Sequence, residues 1–139
     1  MQVKTVDYRT SDAGEALTES LLNTGFAVLE NHPISAQRLE EIYTAWGKFF
    51  ASDAKHDFLR DPERQDGFFP FKSEHAKGAS TKDLKEFYHV YPWGRVPAEL
   101  EALTRSVYAD LQALGIELLG WMDRYMDAAC RQKLTEPLA

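Results

Sequence analysis

The stretch that decides the fold is "GFAVLENHPIS", residues 25–35. A glycine opens it, the apolar run FAVL follows, and the chain then turns polar just before His32 and Pro33. A short apolar run between turn residues is typical of a buried β-strand. A histidine at the end of such a strand is either a candidate metal ligand or general base, or a structural residue. The chemistry of His32 is therefore the first question that the sequence raises.

The bulk composition indicates one folded domain over residues 1–139. Apolar residues make up 44% of the chain and aromatic residues 12%, which is enough to build a core. The net charge is −6, from 16 basic and 22 acidic residues. This balance argues against a nonspecific nucleic-acid binder or an anionic-membrane binder, both of which need a basic surface. The longest apolar runs fall well short of the ~18 residues that a membrane-spanning helix needs.

The single cysteine, Cys130, excludes an intrachain disulfide and a cysteine-rich zinc site. One cysteine fits a reduced, cytoplasmic setting. The N-terminal residues contain no apolar run after a basic start, so they do not resemble a signal peptide. Cys130 lies near the end of a helical pattern, and we expect it to be a structural thiol.

The first half of the chain predicts a strand, a helix, the strand already described, and a second helix. "VKTVDY" alternates apolar and polar residues, as a short strand does. The next segment predicts a helix that begins at Ser11 or Asp12 and ends at Gly25. Its apolar face is predicted to consist of Leu17, Leu21 and Leu22. "ISAQRLEEIYTAWGKFFAS" predicts a helix capped by Ser35, whose broad apolar stripe includes Tyr43 and indicates core.

The second half predicts a short helix in "SDAKHDFL", a long loop over residues 62–80 and a long helical segment over residues 97–134. Between them, "TKDLKE" predicts a helical start and "FYHVYPWG" is aromatic. The sequence thus predicts a helix-rich α+β fold with too few strands for a complete sheet-based enzyme domain. The aromatic residues near the loop predict either a second packing cluster or a wall that stacks a flat substrate; packing is the simpler interpretation.

The sequence contains no recognisable catalytic or metal-binding motif. A two-histidine, one-carboxylate iron site usually begins with a histidine and an acid two residues apart, and none of the four histidines has that spacing. The motifs HExxH, GxSxG, GxGxxG and the Walker loop do not occur. The residues by themselves therefore identify no catalytic residue and no metal ligand.

Four segments in order carry a family resemblance: "GFAVLENHPIS", a helix that ends in "FFAS", then "DGFFPF", then "KDLKEFYHVYPW". They resemble the N-terminal domain of the isopenicillin N synthase-like family of iron(II)/2-oxoglutarate-dependent dioxygenases. The resemblance implies an N-terminal domain that packs on a double-stranded β-helix, a jelly roll. The recurring pieces of that pattern fall at Gly25, Asn31, His32 and Gly67, which the resemblance marks as structural signature residues. Pro33 departs from the glycine that the family usually has at this position.

The resemblance also implies what this chain lacks. In that family the HxD and distal histidine ligands of iron, and the RxS pair that holds 2-oxoglutarate, lie on the jelly roll. These residues have no counterpart in the 139 residues, so we expect no cofactor bound by this chain alone and no activity of the chain alone. Fe(II) and 2-oxoglutarate are implied for a complete enzyme, which would act on a small molecule. The implied partner is the missing C-terminal jelly-roll domain, or a second copy of the chain.

The same resemblance indicates which residues face a substrate. In several family members a loop equivalent to "RQDGFFPF" reaches the substrate entrance, which marks Gln65 and Phe69 as lining residues and Arg64 and Lys72 as charged neighbours. Two alternatives stay open: a stand-alone, non-enzymatic module that associates through its apolar helix faces, and an unrelated small α+β protein. The resemblance places His32 in a structural turn, where an imidazole can hydrogen-bond backbone groups.

Overall fold

The computed structural model describes residues 2–75, 78 and 80–127. The element order is β1 (Thr5–Asp7), α1 (Ala13–Thr24), β2 (Val28–Glu30), α2 (Ala36–Ala51), a 3-10 helix (Asp53–Phe58), β3 (Gly67–Phe69), β4 (Phe87–His89) and α3 (Ala98–Tyr125). This order confirms the predicted helix-rich α+β fold. The chain divides into two compact units: Leu39–Ser106 form one, and the described residues before and after that range form the other. The single domain over residues 1–139 stays a prediction.

The first unit is built around a parallel pair of strands. β1 pairs with β2 in the register Thr5↔Val28, Val6↔Leu29 and Asp7↔Glu30. Parallel strands need a crossover connection, and α1 supplies it. The buried Ser20 on α1 ties the helix to both strand ends, because its Oγ accepts the Lys4 N–H at 3.0 Å and donates to the Phe26 carbonyl at 2.7 Å.

The predicted C-terminal end of α1 and the predicted start of α2 are confirmed. Gly25 has φ 76° in the left-handed region and its N–H donates to the Leu21 carbonyl, which ends α1. Ser35 precedes α2, and its Oγ accepts the Arg38 N–H at 3.2 Å. α1 packs closely on the last turns of α3, because a Cβ built at Gly14 would lie 2.8 Å from the Tyr125 ring.

The second unit contains the antiparallel hairpin of β3 and β4, in the register Gly67↔His89, Phe68↔Tyr88 and Phe69↔Phe87. Its core is a cluster of α2, the loop before α3 and the first turn of α3: Phe49, Val96 and Leu100. Partly buried side chains pack against the cluster, namely Ala45, Trp46, Phe58, Tyr88 and Val90. The short helix predicted in "SDAKHDFL" is confirmed as the 3-10 helix.

Three predictions about buried apolar faces are wrong. Leu22, predicted on the apolar face of α1, is 67% exposed, and Tyr43 of the α2 stripe is 78% exposed. The predicted buried strand is β2, but Val28 is half-exposed and the preceding Phe26 is 70% exposed. Apolar periodicity predicts burial at these positions, but nothing in the described part of the chain covers these side chains.

Two helix predictions also differ from the structure. Residues 81–86 are not helical, because the Asp83 N–H donates to the Glu74 carbonyl at 2.9 Å and the chain then enters β4. The long helix ends at Tyr125 rather than at residue 134. Residues 126 and 127 are not helical, so α3 ends within the described part of the chain. Residues 128–134, and Cys130 among them, lie outside the described residues.

Candidate functional site

The β3–β4 hairpin carries most of the aromatic residues that the sequence groups around the long loop. Phe68 and Phe69 are 1% and 3% exposed, and Phe69 stacks on Phe87 with ring centroids 4.4 Å apart and planes 14° apart. The packing interpretation is confirmed for these rings. It is wrong for Trp93 and Phe71, which are 61% and 52% exposed. Packed rings therefore form the hairpin, and the segments that follow β3 and β4 each carry one exposed aromatic side chain.

Asp66 is the buried charge of this unit. Its side chain is fully buried, and its Oδ2 accepts the Arg95 N–H at 2.6 Å. The Nε atoms of Arg95 and Arg64 lie 3.5 Å and 3.8 Å from its two oxygens. A buried carboxylate is tolerated when it is paired and hydrogen-bonded. Here Oδ2 accepts a hydrogen bond, whereas Oδ1 has the ion pair with Arg64 and no hydrogen-bond partner among the described residues. Asp66 therefore joins the start of β3 to the segment before α3.

Gly94 allows that close approach, and Gly67 allows a second one, between the start of β3 and the backbone of residues 58–60. A Cβ at Gly94 would lie 2.9 Å from the Asp66 Cβ, and a Cβ at Gly67 would lie 2.6 Å from the Phe58 carbonyl oxygen. Gly67 also has φ 107°, a conformation that side chains strongly disfavour. The "DG" of "DGFFPF" therefore combines a buried ion pair with a backbone geometry that only glycine adopts easily. The family resemblance rests partly on this Asp-Gly segment, but it does not identify Asp66 as the charged centre of the site. The sequence signal that could have identified Asp66 is an acidic residue directly before a turn glycine.

The four residues predicted to line a substrate entrance lie on the loop around β3. Gln65 and Lys72 both have φ 61°, so the loop turns sharply on either side of the strand. The Gln65 amide donates to the Pro62 carbonyl, and its Oε1 accepts from Arg60 Nη1 at 3.3 Å. The Lys72 ammonium lies 5.5 Å from the centre of the Phe71 ring. The side chains of Gln65, Arg64 and Lys72 are exposed, whereas Phe69 is buried in the hairpin.

A cleft of about 310 Å³ opens beside the hairpin. It is lined by Leu59, Arg60, Phe68, Phe69, Pro70, Ser73 and Glu74. Phe69 is the one predicted lining residue on its wall, and the Arg60 guanidinium lies 5.3 Å from the Phe69 ring centre. The cleft has an aromatic floor, one cation and one carboxylate, which suits a small ligand with both a ring and a polar group.

The electrostatics of the loop come from backbone hydrogen bonds and burial. Backbone N–H groups of Arg64 and Glu63 donate to the Asp61 carboxylate and hold its pKa below the ordinary value. Burial raises the pKa of Tyr88 to about 12. The Tyr88 hydroxyl donates to the Arg95 carbonyl at 2.8 Å, so Tyr88 is a neutral donor at physiological pH.

The described histidines and acids do not form a metal site. Within residues 2–75, 78 and 80–127, no group of three or more His, Cys, Asp or Glu side chains could hold a metal ion. The Nδ1 atoms of His32 and His89 are buried without a hydrogen-bond partner in the described part of the chain. The expected hydrogen bond from His32 to its turn is therefore not made through Nδ1. The residues that the structure describes in this domain therefore do not fit an iron site.

The four signature residues occupy special backbone positions or neighbour them. Gly25 and Asn31 have φ 76° and 57°, one on each side of β2. Gly67 opens β3 at φ 107°. His32 directly follows Asn31 and is half-buried. Left-handed backbone on both sides of a three-residue strand explains why glycine and asparagine suit these positions.

Sequence comparison identifies the family. The family described as "non-haem dioxygenase in morphine synthesis N-terminal" matches residues 4–107. The chain belongs to this family of dioxygenase N-terminal domains. No curated protein matches this dioxygenase N-terminal domain.

Two solved structures agree with that assignment. A candidate oxygenase from Shewanella oneidensis is 46% identical with a TM-score of 0.81, over 93% of this chain and 45% of its own. A full-length Neurospora crassa protein, solved in complex with alpha-KG and thymine, is 19% identical with a TM-score of 0.70, over 86% of this chain and 47% of its own. The second likeness shows the fold alone. This dioxygenase N-terminal domain thus spans less than half the length of either solved protein.

None of the helices in the described residues combines the length and the apolar character that crossing a bilayer requires.

Proposed function

We propose that this domain is the non-catalytic N-terminal part of a non-haem iron(II)/2-oxoglutarate-dependent oxygenase that acts on a small molecule. The observation that carries the proposal is the 46% identity to the Shewanella protein at a TM-score of 0.81 over 93% of the chain. The family match over residues 4–107 supports it independently. The comparisons give no support to the alternative, a stand-alone interaction module.

In this proposal iron and 2-oxoglutarate bind to a C-terminal jelly-roll domain, which is the partner of this domain. The Neurospora crassa protein was solved with alpha-KG, which supports a 2-oxoglutarate cosubstrate in the longer enzyme. When bound there, the metal would activate dioxygen and 2-oxoglutarate would supply electrons. The residues described above contribute no step of that chemistry. A cytoplasmic setting stays a prediction.

The role of this domain is to brace the jelly roll and to shape the substrate entrance. Gln65, Arg64 and Lys72 present exposed polar groups on the sharply turned loop around β3. Phe69 supports that loop from the buried hairpin and forms part of the wall of the cleft. The Asp66 ion pair fixes the loop against the segment before α3, so the lining residues are held in one geometry.

A metal-to-label distance tests this arrangement. The domain is joined to the C-terminal part of the Shewanella protein, Cys130 is replaced by serine, and a nitroxide label is attached at Gln65→Cys or at the control Glu15→Cys. Mn²⁺ is bound in place of iron, and electron resonance measures the distance from the metal to each label. We expect the label at residue 65 to lie closer to the metal. Equal distances, or a longer one from residue 65, would exclude the proposed position of the loop.

A further inference from the structure

Trp93 is an exposed indole stacked on a second ring. Its side chain is 61% exposed, and its ring lies on Tyr91 with centroids 4.9 Å apart and planes only 6° apart. One face of the indole is therefore covered by Tyr91, and the exposed area leaves the other face to solvent. A buried tryptophan needs no functional explanation, but a flat stack that ends in an open indole face is a ready surface for a further ring.

This indole lies on a turn formed by residues 91–95, which we call the Trp93 turn. Side-chain hydrogen bonds fix the backbone of this turn. The Arg105 guanidinium donates to the carbonyls of Tyr91 and Gly94, at 2.6 Å each. Arg64 Nη2 donates to the Trp93 carbonyl. The Arg95 N–H donates to Asp66 at 2.6 Å and its carbonyl accepts from Tyr88 at 2.8 Å. Side chains therefore hold the backbone of four of the five residues of the turn.

These contacts do not need the indole. All of them reach the backbone of the turn, so a small residue at position 93 would leave them intact. A single exposed apolar side chain is ordinary in a folded protein. What distinguishes Trp93 is its flat stack on Tyr91 in a turn whose backbone is fixed by side-chain hydrogen bonds. The backbone of the turn is already ordered, and the exposed ring is not needed for the contacts that order it. Such a surface is preorganised for binding, because little conformational entropy remains to be lost when a ligand binds.

The Arg64 guanidinium, which contacts the backbone of the Trp93 turn, is a nearby source of hydrogen-bond donors. Arg64 uses Nη2 on the Trp93 carbonyl and Nε beside Asp66, and Nη1 has no partner among the described residues. Two arginines, Arg64 and Arg95, are matched locally by Asp66 and by Asp61, whose carboxylate both arginines attract. Arg105, whose guanidinium also contacts the turn, lies 3.8 Å from a Glu101 carboxylate oxygen, so each of these three arginines has a nearby carboxylate. A ligand would be selected by directed hydrogen bonds from a guanidinium rather than by a broad positive field.

We propose that the open face of Trp93 stacks a planar conjugated ring whose edge carries a carbonyl or carboxylate oxygen, and that Arg64 donates to that oxygen. The site lies within Leu39–Ser106 and requires no metal. That the ring belongs to the substrate of the complete oxygenase rests on the proposed function, whereas binding of the ring to this domain does not. Trp93 is thus a specificity-determining residue that the predicted lining set of Gln65, Phe69, Arg64 and Lys72 omits.

The indole N–H signals of the 139-residue chain test the proposal by NMR. The probe is 2-naphthoate, and decahydro-2-naphthoate is the matched acid without a planar ring. The chain has three tryptophans, and Trp46, whose indole donates to Thr104 at 3.0 Å, is the internal reference. We expect 2-naphthoate to move the Trp93 signal saturably and to leave the Trp46 signal in place. The saturated acid should bind about two- to tenfold more weakly, since an aromatic stack contributes roughly that factor beyond its buried area.

Substitutions separate the ring from the turn. Trp93→Ala should weaken 2-naphthoate about tenfold and lower Tm by no more than the few °C that loss of the Tyr91 stack accounts for, and Trp93→Phe should keep most of the affinity. Arg64→Gln should weaken 2-naphthoate while leaving the weaker contact of naphthalene methanol unchanged. Tyr43→Ala, which removes an exposed ring on α2, is the control and should change nothing.

Equal binding of the two acids, or unchanged binding in Trp93→Ala, would overturn the proposal. A Trp93 signal that moves with protein concentration alone would also overturn it, because a second copy would then cover the indole. The two experiments can also disagree. If 2-naphthoate binds as expected but the label at residue 65 lies far from the metal, the stacking site stands. Only the claim that the bound ring belongs to the substrate of the oxygenase is then lost.

Discussion

Replacement of Asp66 by alanine should destabilise the Leu39–Ser106 unit by about 3 kcal/mol. The part-buried Arg95 N–H loses a charge-assisted hydrogen bond of 2.6 Å, which is worth about 1.5–3 kcal/mol. The two arginine contacts at 3.5 Å and 3.8 Å involve half-exposed guanidinium groups, so solvent screening limits each to about 0.5 kcal/mol. Asp66→Asn retains an acceptor without the charge and should cost about 1–2 kcal/mol.

Urea unfolding followed by circular dichroism measures these changes in the free energy of unfolding. For a domain of this size, a loss of about 3 kcal/mol lowers Tm by roughly 10 °C. Asp57→Ala is the matched control, because Asp57 lies exposed in the same unit, and it should stay within about 0.5 kcal/mol of the parent. A loss below about 1 kcal/mol for Asp66→Ala would refute the reasoning, since it would mean that the carboxylate does not hold the turn before α3.

Gly67→Ala should cost about 2–4 kcal/mol in urea unfolding, because its φ of 107° is strained for alanine and the new Cβ would lie 2.6 Å from the Phe58 carbonyl; a neutral effect would show that the loop relaxes freely. Gly47→Ala, with no atom within 4 Å of the new Cβ, should instead stabilise α2 by about 0.5–1 kcal/mol, and a loss would contradict its open surroundings. Tyr88 should ionise near pH 12 in an ultraviolet titration. Because the raised pKa keeps the proton on the folded state, the stability from Tyr88 is present below pH ~10 and is lost between pH ~10 and ~12. Tyr88→Phe should flatten that loss, and an identical pH profile would count against it.

Sequence periodicity and helix-capping residues were sufficient to predict much of the fold. Gly25 and Ser35 end and begin their helices as predicted, since local hydrogen bonds to the backbone decide such ends. Periodicity could not tell which apolar side chains are covered, which is why Leu22 and Val28 were expected inside and lie exposed. Propensity also favoured a helix over residues 81–86, but a hydrogen bond to Glu74, distant in sequence, decided the conformation there.

The candidate site could be predicted only in part. The family motif led to the loop around β3, but its charged centre depends on Asp66 meeting Arg95, 29 residues later in the chain. No pattern in a single sequence reports such a pairing. The position of Trp93 likewise depends on hydrogen bonds from Arg105 and Arg64 to the backbone of its turn. Such contacts between side chains and backbone groups leave no periodic pattern in the sequence.

The most direct test of the central claim, that this chain is the bracing domain of a longer oxygenase, is differential scanning calorimetry of the chain joined to the C-terminal part of the Shewanella protein. The account predicts one cooperative transition at a higher temperature than either part shows alone, because burial of exposed groups such as Phe26 and Val28 would couple the parts. Two independent transitions at the temperatures of the separate parts would contradict it.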